Sequence, residues 1–162
     1  MWSVGLTVQG ALRRKRFIER AVTILMKYPD ITHRIGALDE LIANADRNIG
    51  NLLVREGGFE VIDHGLILGG SNWEPVTLPP TYDRAVDNKV LMVLGSEAEK
   101  LPFKSGLMAA YDKLVSDLPR AVEDLCNELN GLIDSDELEA IKAYLIARST
   151  SYDMPKKMGM MI

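Results

Sequence analysis

Cysteine is almost absent: Cys126 stands alone in 162 residues. No internal disulfide can form, and a structural zinc site built on several thiolates is excluded. Aromatic residues reach only 6%, and histidine occurs twice, as His33 and His64. Cations are not in excess, with 19 Lys and Arg against 23 Asp and Glu and a net charge of −4. Such a surface does not grip nucleic acid over its whole area, because that affinity comes from cations displacing condensed counterions. Long apolar runs are missing as well. The opening stretch without charge, Met1 to Leu12, falls short of the ~20 residues that span a bilayer. Its basic cluster follows the apolar stretch, whereas a secretory leader puts positive charge first. The expectation is an intracellular soluble protein with no membrane partner.

Catalytic signatures are equally scarce. There is no G-x-S-x-G elbow, no G-x-x-x-x-G-K, no G-x-G-x-x-G and no H-E-x-x-H. His33 falls in the first turn of a predicted helix, and His64 beside Asp63 in a β-like stretch, where adjacent residues face opposite ways. Both read as structural or surface histidines. Cys126 lies within two residues of Asp124 and Glu128, anions that raise a thiol's pKa, so it reads as a small core residue. The chain is expected to be neither an enzyme nor a cofactor or metal binder.

What is present is a mainly α pattern over one domain. With 47% hydrophobic residues the chain can build one core. A first helix is predicted from about Gln9 to Lys27, with Ile18, Ala21, Val22 and Leu25 on one stripe, stopped by Pro29. A second is predicted from a Thr32 cap through Ile35, Leu38, Ile42, Ala45, Ile49 and Leu52, ending at Gly57 and Gly58, with Asp39, Glu40, Asp46 and Arg47 solvated. Residues 59–78 read as one or two short strands and an irregular loop. Pro79 and Pro80 are expected to open a third helix carrying Tyr82, Ala85, Val86, Val90, Val93 and Leu94 inward. A fourth begins near Lys104, with Leu107, Tyr111, Leu114 and Leu118 inward and a kink or restart at Pro119. The last starts after Gly131 with an Asp134/Glu137 capping box and Leu138, Ile141 and Leu145 inward. The expected architecture is thus a bundle of four to five helices with a β-hairpin insertion, followed over 150–162 by an extended, methionine-rich tail.

Charge is unevenly distributed. The first helix carries Arg13, Arg14, Lys15, Arg16, Arg20 and Lys27 against Glu19 alone. The stretch Asp117 to Glu139 is acidic, with Arg120 its only cation. Ends of opposite sign can hold copies head to tail or guide docking to a larger partner.

The order of elements and three short motifs resemble the head-to-tail adaptor proteins of tailed bacteriophages, the packaged-DNA stabilisation proteins and tail tubular protein A. The matching residues are Ala37-Leu38-Asp39-Glu40-Leu41 with Asn44, Gly57-Gly58-Phe59, and Leu78-Pro79-Pro80-Thr81-Tyr82-Asp83-Arg84-Ala85-Val86, with a weaker match at Ala109-Ala110-Tyr111. The likeness covers roughly Arg16 to Leu118. It departs at Leu101-Pro102-Phe103-Lys104, where the family has an acidic or proline-containing turn before an alanine-rich helix, and it carries no motif beyond Pro119. The resemblance implies a structural virion protein, made in the host cytoplasm and placed at the head-tail junction. It would form a dodecameric ring below the portal that extends the DNA channel, retains packaged double-stranded DNA and receives tail or nozzle proteins. An acidic channel suits this, because DNA slides where few cations meet its phosphates.

Three surfaces follow as expectations. Arg13, Arg14, Lys15, Arg16 and Arg20 would contact a neighbouring subunit, the portal or DNA. Phe59, Val61, Ile62, Leu66, Leu68 and Trp73 would form an inter-subunit or tail-facing platform. Tyr152, Met154, Met158, Met160, Met161 and Ile162 would dock on a partner ring, so truncation after Ser149 should spare the helical core and weaken assembly. The alternative function is a small helical DNA-binding regulator acting as a dimer, with Asn44, Arg47, Asn48 and Asn51 as its readers. A third is a helical enzyme whose site is assembled from unmarked residues; a buried carboxylate pair with perturbed pKa would betray it.

Overall fold

The computed structural model describes residues 8–44, 47–62, 67–68, 70, 73–78, 86–151 and 154–160, and among these it forms six α-helices, two 3₁₀ turns and one hairpin. The fold is mainly α. Helix α1 (Val8–Lys27) buries Ala21 and Leu25, while Ile18 and Val22 flank them half-buried. The chain bends at Tyr28, and Pro29 sits at the first position of α2 (Pro29–Leu41). Proline lacks only an N–H that the first turn leaves unbonded, so the residue expected to end one helix also opens the next. Thr32 is not a cap; its buried hydroxyl donates to the carbonyls of Leu25 (2.7 Å) and Tyr28 (3.0 Å) and ties the two helices together.

The long second helix expected from sequence is cut short. It ends at Leu41, and Ala43 adopts a left-handed φ of 51°. Asn48 then accepts a bond from the Gly50 N–H at the head of a 3₁₀ turn over Ile49–Asn51. The apolar residues at the far end of the predicted stripe belong instead to a hairpin, β1 (Leu52–Arg55) and β2 (Gly58–Val61), paired antiparallel with Leu52 opposite Val61 and Val54 opposite Phe59. Gly57, at φ +83°, makes its turn and does not cap a helix. A Cβ at Gly58 would lie 2.7 Å from Ile31 Cδ1, so the hairpin rests closely on α2 and a larger residue there would have to displace the Ile31 side chain. Residues 67–78, expected to be partly strand, are irregular where they are described.

Helix α3 (Lys89–Leu94) starts later than expected. Val86–Asn88 is non-helical, and Tyr82 and Ala85 lie outside the described residues. Asn88 caps it, accepting from the Leu91 N–H (3.3 Å) and donating to the Gly36 carbonyl of α2 (2.9 Å). Helix α4 (Leu101–Leu129) continues through Pro119, so the restart that the sequence allowed there does not occur. One lost backbone bond is outweighed because Leu118 and Val122 on either side share the same buried face. Helix α5 (Ser135–Ser151) opens with the expected capping box, the Asp134 N–H donating to Glu137 Oε2 at 3.0 Å.

The central packing is α2 against α4, with α5 packed on α4 and reaching the end of α2. Small residues set its closeness: a Cβ at Gly36 would meet Leu107 at 3.1 Å, and one at Gly106 would meet the His33 ring at 2.2 Å. The end of the chain is not an extended tail. Over Met154–Lys157 it forms α6, which buries Met154 and, just beyond it, Met158 in the same core as Leu107 and Tyr144.

Candidate functional site

The only dense polar constellation among the described residues lies at the C-terminal end of α2, and it is internal. Asp39, Glu40, Asn44, Arg47 and Arg148 are all essentially inaccessible. Two of the residues expected on a solvated face, Asp39 and Glu40, therefore point into the protein, as does Arg47 beyond the helix; Asp46 lies outside the described residues. Asp39 Oδ1 accepts from Arg47 Nη2 (2.6 Å) and Asn44 Nδ2 (3.0 Å), and Oδ2 accepts from Arg47 Nε (3.0 Å). This is the two-pronged fork that makes a guanidinium–carboxylate pair directional. Arg47 Nη1 also reaches the Ile62 carbonyl at the end of the hairpin (3.3 Å), so the pair staples β2 to α2.

Glu40 does the same for the other end of the chain. Lys157 Nζ donates to both its carboxylate oxygens (2.9 and 2.7 Å) and to the Val86 carbonyl (2.6 Å). The backbone carbonyl of Glu40 accepts from Arg148 Nε on α5 (2.8 Å). Tyr111 lies nearby; burial pushes its hydroxyl up to about 12, Arg148 opposing and Glu40 and Asp112 adding to the shift. Each carboxylate in the cluster is matched by a cation and saturated with donors. Its work is to hold distant segments together. Among the described residues no group of three His, Cys, Asp or Glu side chains is spaced to hold a metal ion.

His33 is half-buried, edge-on to Phe103 with ring centroids 4.6 Å apart. Burial lowers its pKa, partly offset by Asp30. His64 lies outside the described residues. Cys126 borders an apolar cleft of about 500 Å³ between α4 and α5, lined also by Leu118, Pro119, Val122 and Ile146. A second cleft of similar size lies between α3 and the chain end; its two lysines are already bonded, Lys157 to Glu40 and Lys104 to Glu99 and the Met158 carbonyl.

The outer surfaces sort the sequence-derived candidates. Arg13, Arg14, Lys15, Arg16 and Arg20 are all exposed on α1. The proposed platform does not form as expected: Phe59 and Leu68 are buried, Val61 and Trp73 are half-buried against the core, and only Ile62 is exposed. Leu66 lies outside the described residues. The exposed apolar residues of the hairpin are instead Leu53 and Val54, which sequence reasoning had assigned to a helix. In the terminal group Met154 and Met158 are buried and Met160 half-buried, so these face the chain's own core; Tyr152, Met161 and Ile162 lie outside the described residues. Asp39 finds its cation eight residues on, in Arg47, whereas the Glu40 carboxylate takes Lys157 from 117 residues away and its carbonyl takes Arg148 from 108, pairings no local pattern announces.

No helix among the described residues is long and apolar enough to cross a membrane. No family model, curated protein or solved structure matches the chain.

Proposed function

We propose that this chain is a structural adaptor of the head-to-tail junction of a tailed bacteriophage, a subunit that forms a ring below the portal, extends the DNA channel, retains packaged DNA and receives the tail. The observation that carries the reading is the separation of exposed charge. The exposed half of α1 is basic, whereas the second half of α4 and the start of α5 are acidic and exposed at Asp117, Asp124, Glu128, Asp134 and Asp136. The buried ions of the protein are already committed to internal pairs, so these outer charges remain for partners. A chain with two different, complementary ends makes heterologous contacts, which close into a ring when the rotation allows. The motifs quoted for the resemblance supply the rest: the family's ring is dodecameric and works without a cofactor.

The DNA-binding regulator is left with few readers on α2. Asn44 and Arg47 are buried, and Asn48 and Asn51 belong to the turn after it. Mass photometry of the purified protein, alone and mixed with portal rings from the same source, tests the adaptor reading. A large complex forming only or mainly with the portal is expected. A stable dimer that ignores the portal and retards a DNA fragment would replace this reading with the regulator.

A further inference from the structure

From Leu12 to Arg20 every described side chain of α1 is exposed except Ile18, which is half-buried; full burial begins at Ala21. Leu12 to Arg16 have no buried side chain, while Phe17 and Arg20 border a cleft of about 240 Å³ with Ile49, Leu52 and Val54. At 3.6 residues per turn, Leu12, Arg13, Arg16, Phe17 and Arg20 fall within an arc of about 140° and along about 12 Å. Leu12 and Phe17 are 52% and 54% exposed, a costly display for a helix with nothing to cover it. None of these arginines has an ion-pair partner among the described residues.

A face of opposite character lies on α4. Asp117, Ala121, Asp124, Leu125 and Glu128 share an arc of about 100° over about 16 Å, all of them exposed, and it lies away from the groove that α4 shares with α5. Leu132, 76% exposed in the turn that follows, extends its apolar part. Asp117 pairs with Lys113 (3.0 Å) and Asp124 loosely with Arg120 (3.9 Å); both pairs are exposed and worth little, so they yield to a better partner. Both faces carry three charges, spread over about 10 Å on α1 and about 16 Å on α4, and both set large apolar side chains among them.

We propose that the exposed half of α1 docks on the outer face of the second half of α4 in the next copy of the chain. Arg13, Arg16 and Arg20 meet Asp117, Asp124 and Glu128, and Leu12 and Phe17 cover Leu125 and Leu132. This contact rests on the ring reading above and supplies its subunit interface. Charge selects the partner face and its register, while the covered leucines and phenylalanine provide most of the affinity.

Two triple variants test it, Arg13→Glu/Arg16→Glu/Arg20→Glu and Asp117→Lys/Asp124→Lys/Glu128→Lys, by sedimentation velocity at low salt, alone and with portal rings. All six positions are exposed, and an unchanged helical circular-dichroism signal verifies that each variant folds. Each variant alone is expected to self-associate on the order of a hundredfold more weakly than the parent. An equal mixture, in which reversed faces again meet opposite charge, should recover assembly, as should one chain carrying all six changes. Assembly of either variant as strong as the parent's overturns the contact while leaving the ring standing. A first variant that assembles normally but no longer binds a DNA fragment overturns it in favour of DNA as the partner of α1. A parent chain that stays monomeric both alone and with portal rings overturns the contact and the adaptor reading together.

Discussion

At the residue scale, the molecule concentrates its polar commitments in two buried ion pairs at the end of α2. Removing one ion of such a pair strands the other away from water, which costs about 3–5 kcal/mol. Asp39→Ala is therefore expected to lose that much stability in urea denaturation, because Arg47 is only 1% exposed. Replacing both partners, Asp39→Leu with Arg47→Met, should recover most of it, since an apolar pair of similar volume has no desolvation cost. A single variant as stable as the parent would show that the pair is dispensable. His33 makes a second residue-scale prediction. Its folded pKa lies below the ordinary 6.5, chiefly through burial. Above that value the ring is neutral folded or unfolded, and its packing on Gly106 is fully available. As pH falls through 6.5 the unfolded chain takes up a proton that the folded one resists, so stability declines until the folded pKa is passed. The fall in urea midpoint between about pH 7 and about pH 5 should accordingly be smaller in His33→Gln than in the parent, which separates the histidine from the carboxylates. Neither the ion pairs nor the histidine's bed of glycine was legible locally. Asp39 and Glu40 carry the same residue types a solvated face would, and only the fold decides which side of α2 is covered.

At the element scale, the hairpin and the chain end were both misread for reasons that are physical. Ile49 and Leu52 continue the three-four apolar spacing of α2, yet Ala43 turns left-handed and Leu68 N–H donates to the Ile42 carbonyl at 2.7 Å, so the helix has already ended. Periodicity records which positions are apolar, and a short run satisfies both a helix stripe and a half-buried strand. The end of the chain lacks periodicity because α6 is a single turn, anchored by Met154, Met158 and the Lys157–Glu40 pair. Deleting residues 150–162 removes two buried methionines, each worth about 2–5 kcal/mol, and takes Lys157 away from the buried Glu40 carboxylate. That loss approaches the whole stability of a domain, about 5–15 kcal/mol. Truncation after Ser149 is thus expected to yield a chain without a cooperative melt, contrary to the expectation from sequence; a truncated protein that melts like the parent would overturn the anchoring role. Helices α1 and α5, by contrast, were legible to within a few residues, because each combines an apolar stripe with a terminal signal such as Pro29 or the Asp134–Glu137 box; α4 was legible as a stripe but not in its start or its continuity through Pro119.

At the scale of the whole molecule, charge is partitioned between surfaces that lie far apart in sequence and face outward. Within one copy these ends do little for each other: among the described residues no ion pair joins α1 to the acidic half of α4. In the proposed contact they would instead meet on neighbouring copies. Exposed charges are screened beyond about 10 Å at 0.1 M salt, so assembly by the contact between α1 and α4 should weaken steadily with ionic strength while the buried pairs hold each subunit intact. The same partition would let a ring grow by adding like to unlike without self-pairing of either end.

The helical class, the approximate positions of α1 and α5, the apolar stripe of α4, the impossibility of an internal disulfide and the segregation of charge all follow from the chain read along its length. These properties are local or additive: stripe spacing, caps, residue counts and runs of one sign. Only the tertiary structure decided that α2 stops at Leu41, that Asp39 and Glu40 face inward, that Phe59 and Leu68 are core while Leu53 and Val54 are surface, and that the terminal methionines close the fold. Each of those outcomes depends on what lies opposite a residue in space. A carboxylate becomes interior when a cation more than a hundred positions away can be brought to it, and a sequence read along its length holds no record of that meeting.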